Sequence, residues 1–227
     1  MIGIIGAMKI ETDNIKSMLK NTKIETISGI EFVCGTINGS QVVVAQCGIG
    51  KVFAALCAQT MILRYPVTEI VNIGIAGTLC NELNLLDIAI STAVVEHDMD
   101  TSPLGDPVGL ISGINIVRMP ACPRLVEKIK KISTEMNKHA VCGVIASGDQ
   151  FIADNAKKAY IRNTFDAIAC EMEGAAIGQV CYVNRIDFVI IRSISDNADP
   201  MAGALDYPEL CTRAAAQSQR IMEAYLQ

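Results

Sequence analysis

The chain has 227 residues, 51% of them hydrophobic and 19% charged, with a formal net charge of -5. That length suits one large domain, expected over 1–227, with a substantial core; the acidic balance offers no electrostatic footprint for nucleic acid. Nine cysteines, with no C-x-x-C pair and several inside apolar runs, read as buried free thiols in a reducing cytoplasm rather than as a disulfide framework.

In chain order, apolar runs rich in Ile and Val alternate with segments of helical period, the pattern of an α/β fold around a buried sheet. The chain opens on MIGIIGAM, a strand-like run with no basic segment before it, and contains no apolar span of 18 residues. A soluble cytoplasmic protein without membrane contact is therefore expected. Strands are expected at 2–6, 30–37, 41–46, 69–74, 87–95, 141–146 and 187–193, and helices at 10–20, 51–64, 123–136, 154–163, 173–184 and 206–226. Asn38-Gly39 predicts a two-residue hairpin, so at least one strand pair is antiparallel. The longest irregular stretch, 98–122, is punctuated by Pro103, Gly105, Pro107, Gly109, Gly113 and Pro120. A lid or interface arm and a plain surface excursion are both open readings of it.

In open α/β sheets ligands gather at the carboxyl ends of strands. Five junctions qualify: GAMKIE (6–11), CGIGK (47–51), GIAGT (74–78), SGDQFI (147–152) and RSISDNAD (192–199). Singly, each has a bland reading. CGIGK is no P-loop, because Lys51 is followed by Val52. The GIAGT glycines permit close packing of strand on helix. Glu11 suits the first turn of a helix, and Asp149 and Asp196 suit caps or turns. His97-Asp98-Met99-Asp100 lacks a matching ligand set, since the other histidine, His139, stands in a polar stretch, so no metal is expected. A G-x-S-x-G nucleophile elbow is missing too.

The carboxylates carry the argument. AIACEMEGAAIGQVC (167–181) sets Glu171 and Glu173 two apart in an apolar run, where a carboxylate is costly unless paired, hydrogen-bonded or put to use. With Glu11, Asp196 and Arg192 they fall at strand ends or helix starts in a chain sparing with charge. Carboxylates that converge in different environments, one ionised and one protonated, meet the needs of glycosidic bond cleavage.

Taken together, GIIGAM with Glu11, CGIGKV (47–52), NIGIAG (72–77), SGDQFI, CEMEGAAIGQVC (170–181) and RSISDNAD resemble the 5'-methylthioadenosine/S-adenosylhomocysteine nucleosidases of the purine nucleoside phosphorylase-like superfamily. The likeness runs from the first strand to the last helix in the same order. It implies a single-domain three-layer α/β/α sandwich around a mixed, strongly twisted sheet. It also implies a homodimeric hydrolase, without metal or cofactor, that cuts 5'-thioadenosine nucleosides to adenine and a thioribose. By position, Glu11 would activate the attacking water, and Asp196, with Ser195 beside it, would protonate adenine N7. Glu173, helped by Met172 and Arg192, would grip the ribose 2' and 3' hydroxyls. Phe151 would stack on adenine while the backbone of Ile152 reads its Watson-Crick edge. Met8, Ile49 and Tyr207 would line the ribose and alkylthio end, with Ile75, Ala76 and Gly77 in the turn beside them and Leu104 of the partner subunit reaching in. Glu171 stays open between ligand contact and a helix-start residue that satisfies backbone N–H groups.

Three positions depart from the family pattern. Lys9-Ile10 stands where an acidic run often precedes the glutamate, Ile75 where many members carry Ser or Thr, and Tyr207 where Phe is commoner. Two rival functions fit less well. A purine nucleoside phosphorylase would need a phosphate cradle, usually an Arg before the glycine turn and a hydroxyl within it, where this chain has Asn72 and Ile75. A non-catalytic nucleoside sensor would need neither a base nor an acid. The 5'-substituent remains open among methylthioadenosine, S-adenosylhomocysteine, 5'-deoxyadenosine and a 6-amino-6-deoxyfutalosine-like substrate.

Overall fold

The computed structural model describes residues 1–196 and 207–227, without the side chains of Asp196 and Tyr207. From the N-terminus run β1 (Ile2–Gly6), α1 (Lys9–Met18), β2 (Lys20–Ile27), β3 (Ile30–Ile37), β4 (Ser40–Gln46), α2 (Lys51–Arg64), β5 (Glu69–Thr78) and β6 (Ile88–Glu96). There follow β7 (Met119–Pro120), α3 (Pro123–Glu135), β8 (Ala140–Ser147), α4 (Asn155–Phe165), β9 (Ala167–Glu171), α5 (Gly174–Asn184), β10 (Asp187–Asp196) and α6 (Tyr207–Tyr225).

These strands form one ten-stranded sheet in the order β10-β6-β8-β9-β5-β1-β4-β3-β2, with β7 on β6. Because β10 pairs with β5 as well as β6, the strands β5, β10, β6, β8 and β9 close into a ring, from which β1, β4, β3 and β2 extend. Accumulated strand twist permits such closure, and closure removes edges. Pairing is mixed: β1 is parallel to β4 and β5, and β10 to β5, whereas β6 on β10 and β9 on β5 are antiparallel. The helices α1, α3 and α6 pack together on one side; α2 and α5 pack together on the other, and α4 lies against β8 and β9.

The sequence explains the layers. β5 is covered on both faces and reads as a continuous apolar run, EIVNIGIAGT, with only Ile75 half-buried. In α3, Leu125, Ile129 and Ile132 recur at helical spacing and are buried, leaving Lys and Glu outside. α2 buries Ala54, Cys57, Ala58 and Met61, small enough in the main to sit close to the sheet, and Asn184 Nδ2 on α5 donates to Gln59 Oε1 on α2 at 2.9 Å. The Asn38-Gly39 hairpin is present: both residues have positive φ, 49° and 83°, and Ile37 pairs with Ser40, the geometry of a two-residue type I′ loop.

Several expectations need correction. β2, β7 and β9 were not foreseen. β2, KNTKIETI, is almost wholly exposed at the end of the sheet, and its lysines, threonines and glutamate protect an edge instead of alternating with apolar residues. β9 is short and runs in sequence straight into the apolar start of α5. β5 continues to Thr78 and β10 to Asp196, so GIAGT and RSISD are strand rather than post-strand turns. The stretch 98–122 contains a 3-10 turn (Ser102–Leu104), a bridge between Ile111 and Ile116, and β7. Its residues Val108, Ile114, Ile116 and Val117 pack against the chain's own core. Among the described residues, no helix is long and apolar enough to cross a membrane.

Candidate active site

The end of β1 turns directly into α1, with Met8 as N-cap and Glu11 in the third helical position. The Glu11 carboxylate folds back on the helix start: Oε2 accepts the N–H groups of Ala7 at 2.7 Å and Met8 at 2.8 Å, and Oε1 accepts that of Ile75 at 3.2 Å. The first-turn reading and the site reading of Glu11 thus describe the same geometry, an acid that satisfies its own helix terminus while facing a pocket. Glu11 is 2% exposed. Burial raises its pKa, against the opposing pull of Arg192 and the three backbone N–H groups. A carboxylate so placed has the raised proton affinity useful to a general base near neutral pH.

Gly74 makes room for this arrangement. A Cβ there would lie 2.7 Å from Glu11 Oε1 and 2.8 Å from Arg192 Nη1, so only glycine lets carboxylate and guanidinium meet over β5.

Arg192 is fully buried in β10. Its Nε donates to Glu171 Oε2 at 3.2 Å, its Nη2 to the same oxygen and to Asn72 Oδ1 at 2.6 Å, and Nη2 lies 3.8 Å from Glu173 Oε2. Burial disfavours the cation, but the charges of Glu171, Glu173 and Glu11 outweigh it and raise the pKa. Nη1 has no hydrogen-bond partner among the described residues. Asn72 Nδ2 in turn donates to Ile5 O at 2.8 Å, tying the guanidinium to β1.

Glu171 ends β9. It accepts the Ser147 hydroxyl, the Gly174 N–H at 2.9 and 2.8 Å on its two oxygens, and the Glu173 N–H at 3.1 Å. The two N–H groups are donors at the α5 terminus, so Glu171 fills the helix-start role, from the end of a strand, and also borders the pocket. Glu173 is the N-cap of α5, and its Oε1 accepts the Gly50 N–H at 2.9 Å. Burial and the neighbouring Glu171 charge push its pKa up to about 7, against Arg192.

Glu11, Glu171 and Glu173 border a pocket of about 210 Å³. Its walls include Met8, Glu11 and Ile49; Ile75, Ala76 and Gly77 of β5; Phe151 and Ile152 after β8; Glu171, Met172 and Glu173; and Ser195 of β10. Mostly apolar walls with a few convergent polar groups are typical of a small-molecule site. Phe151 is 66% exposed at the rim, and the Ser195 hydroxyl lies 3.5 Å from Ala76 O. Arg192 does not line the pocket; it stands behind Glu171. Leu104, 84% exposed on its 3-10 turn, is not on these walls either. The side chains of Asp196 and Tyr207 lie outside the described residues, although the Asp196 backbone pairs with Gly77.

Ala7, Gln150, Cys170 and Cys211 also line the pocket and were missed from sequence. Ala7 and Gln150 sit inside quoted motifs, and Cys170 is paired with Gly77 across β9 and β5. Cys211 carries no such signal, because helical periodicity does not say which turn of α6 meets a pocket.

The family model described as Phosphorylase superfamily matches residues 1–227. The 5'-methylthioadenosine/S-adenosylhomocysteine nucleosidase of Shewanella loihica is 40% identical over 200 residues, covering 87% of this chain and 86% of that protein. A mutant of the Helicobacter pylori nucleosidase, crystallised with 5'-methylthioadenosine in the active site, superimposes with a TM-score of 0.92 at 33% identity, over 98% of this chain and 96% of that one. The native futalosine hydrolase of Helicobacter pylori strain 26695 gives 0.92 at 31% identity, over 98% and 95%. The chain therefore belongs to the phosphorylase superfamily, with its mixed α/β nucleoside phosphorylase-like fold, and within it to the 5'-methylthioadenosine/S-adenosylhomocysteine nucleosidases, which are N-glycosidic hydrolases.

Proposed function

We propose that this protein hydrolyses the N-glycosidic bond of 5'-methylthioadenosine and S-adenosylhomocysteine, releasing adenine and the thioribose, with water activated by Glu11 and adenine protonated by Asp196. The observation that carries the reading is Glu11 itself: a buried carboxylate of raised proton affinity, fixed by backbone N–H groups on the wall of an apolar pocket. Breaking this bond builds positive charge on the ribose and negative charge on the purine. Anionic Glu11 and Glu173 favour the first, and an acid at Asp196 answers the second. Glu173 accepts hydrogen bonds from the ribose 2' and 3' hydroxyls beside Met172. Phe151 stacks on adenine, the Ile152 backbone reads its edge, and Met8 and Ile49 contact the sugar and the alkylthio group.

Water suits this pocket better than phosphate. Asn72 is engaged by Arg192 and Ile5, and Ile75 offers a backbone N–H already taken by Glu11, so these two positions supply neither the cation nor the hydroxyl of a phosphate cradle. A phosphate dianion would meet the Glu11 and Glu173 carboxylates instead.

The reading includes a homodimer. Val52, Phe53, Leu56 and Leu63 are exposed along α2 and Ile49 just before it, with Tyr182 and Val183 exposed on the adjacent α5. An apolar stripe of this kind beside a pocket mouth suits a second copy. By contrast, α6 and loop 108–117 bury much of their apolar surface within the chain.

The test is Asp196→Asn. The variant is expected to bind 5'-methylthioadenosine as the parent does and to release adenine about 10² to 10⁴ times more slowly, read by burst-free single-turnover kinetics. Parent-like turnover would remove Asp196 from the chemistry. The pH profile is a second expectation. Glu173 accepts best from two hydroxyls as an anion, so the rising limb of kcat/KM against pH should run through about 7, the Glu173 value.

A further inference from the structure

Lys51 touches neither the pocket nor any group the chemistry uses, yet it closes a ring of hydrogen bonds around the site. Its Nζ donates to Glu96 Oε2 at 2.9 Å and Asp98 Oδ1 at 2.7 Å. Asp98 Oδ2 accepts the Asp149 N–H at 2.9 Å, and Asp149 Oδ1 accepts the Lys51 N–H at 2.8 Å. The ring joins the connections after β4, β6 and β8.

These are not loose surface pairs. The side chains of Lys51, Glu96 and Asp98 are 19%, 10% and 16% exposed, so the charges are weakly screened and tightly hydrogen-bonded. Burial disfavours the Lys51 cation, but its bonds to Asp98 and Glu96 outweigh that cost and raise its pKa.

The residue before Lys51 gives the ring its target. The Gly50 N–H is the donor to Glu173 Oε1. Gly48 and Gly50 have φ of 94° and 99°, and glycine backbone is the freest in the chain, so this segment needs an external anchor to hold one N–H in one place. Lys51 anchors it on one side through its backbone and side chain together, and a Cβ on Gly50 would come within 3.0 Å of Asp149 Oδ1.

We propose that the Lys51–Asp98–Asp149 ring is a positioning device: it sets the Gly50 N–H against Glu173 and thereby fixes the recognition of the ribose hydroxyls. This role rests on the nucleosidase reading. Without the Lys51 ammonium, Glu173 swings from its hydroxyl-accepting position, while the Asp149 N–H stays on Asp98 Oδ2 and the adenine end of the pocket keeps its contacts. Preference for ribose over 2'-deoxyribose falls, because that preference comes from partners left unpaired when the hydroxyl is missing.

The experiment compares kcat/KM for 5'-methylthioadenosine and its 2'-deoxy counterpart in the parent, Lys51→Met, Asp98→Ala and Lys51→Arg, with free-adenine affinity measured by calorimetry as the check on folding. Lys51→Met is expected to shrink the ribose preference about tenfold, chiefly through KM, with adenine affinity held within about twofold; Asp98→Ala, which also frees the Asp149 N–H two residues before Phe151, is expected to shrink the preference as much and to weaken adenine as well. Lys51→Arg is expected to restore most of the preference. An unchanged preference in both variants, with adenine still bound, overturns the proposal. A merely structural role would lower adenine affinity and both nucleosides alike, which also overturns it. A parent that binds nucleosides without cleaving them defeats the nucleosidase reading separately, and the ring is then judged from the same ribose to 2'-deoxyribose ratio measured as Kd.

Discussion

Glu11→Gln is expected to lower kcat for adenine release by about 10² to 10⁴-fold, the usual range for a lost general base, with little change in KM. An amide cannot take the proton of an attacking water. It also cannot reproduce the native contacts, because the Glu11 oxygens accept the Ala7, Met8 and Ile75 N–H groups, and either amide orientation turns an NH₂ toward an N–H. An unpaired buried donor costs about 1–3 kcal/mol. Against this, the substitution removes a buried charge that resists its own ionisation, so the variant should fold with a melting temperature near that of the parent. Steady-state kinetics with a melting curve separate the effects. A folded variant that keeps parent turnover would mean that another group activates the water.

Arg192→Met is expected to cost stability on a larger scale, about 3–5 kcal/mol, the range for breaking one side of a buried ion pair. Glu11, Glu171 and Glu173 are all buried around this guanidinium. Removing it leaves Glu171 to its backbone and Ser147 donors and strips Asn72 Oδ1 of its Arg192 donor. The pH dependence follows from linkage. Without the cation, the Glu11 and Glu173 pKa values, already raised by burial against the pull of Arg192, rise further above their unfolded values. Across that window the native state binds more protons than the unfolded state, so stability falls as pH rises. The deficit of the variant, measured by urea unfolding, should therefore be larger at pH 8 than at pH 5. A deficit under 1 kcal/mol, or one independent of pH, would contradict the view that Arg192 balances the buried acids.

The same charge imbalance explains what the sequence made visible. Buried carboxylates stand out in a chain sparing with charge because each must be compensated, and Glu11, Glu171 and Glu173 do meet at one pocket. Their separate jobs are not legible from spacing or composition; the family resemblance alone tells them apart. Glu171 and Glu173 look alike in CEMEG, but one is consumed by the Gly174 N–H, Ser147 and Arg192, while the other keeps a free edge and a pKa near 7. Besides Gly174, that difference is set by Arg192, Ser147 and Gly50, 21 to 123 residues away. Lys51 is the converse case. In CGIGK it looked like a failed phosphate loop, because its partners Glu96 and Asp98 come from a strand end that local spacing cannot connect to it.

The fold was legible wherever periodicity was strong. α2 appears at the expected 51–64, and β1 and β3 at the expected 2–6 and 30–37, since each carries an unbroken apolar pattern or a clear turn at its end. β2 escaped because an exposed edge strand has no buried face to advertise. The ring closure of β10 on β5 escaped because parallel pairing between distant strands leaves no local trace.

The measurement that bears most directly on the central claim is adenine release from 5'-methylthioadenosine by the purified protein in phosphate-free buffer, repeated with added inorganic phosphate. Hydrolysis by water predicts full release without phosphate, no stimulation on its addition, and free thioribose as the sugar product. Release that depends on phosphate, with a sugar 1-phosphate formed, would contradict the account.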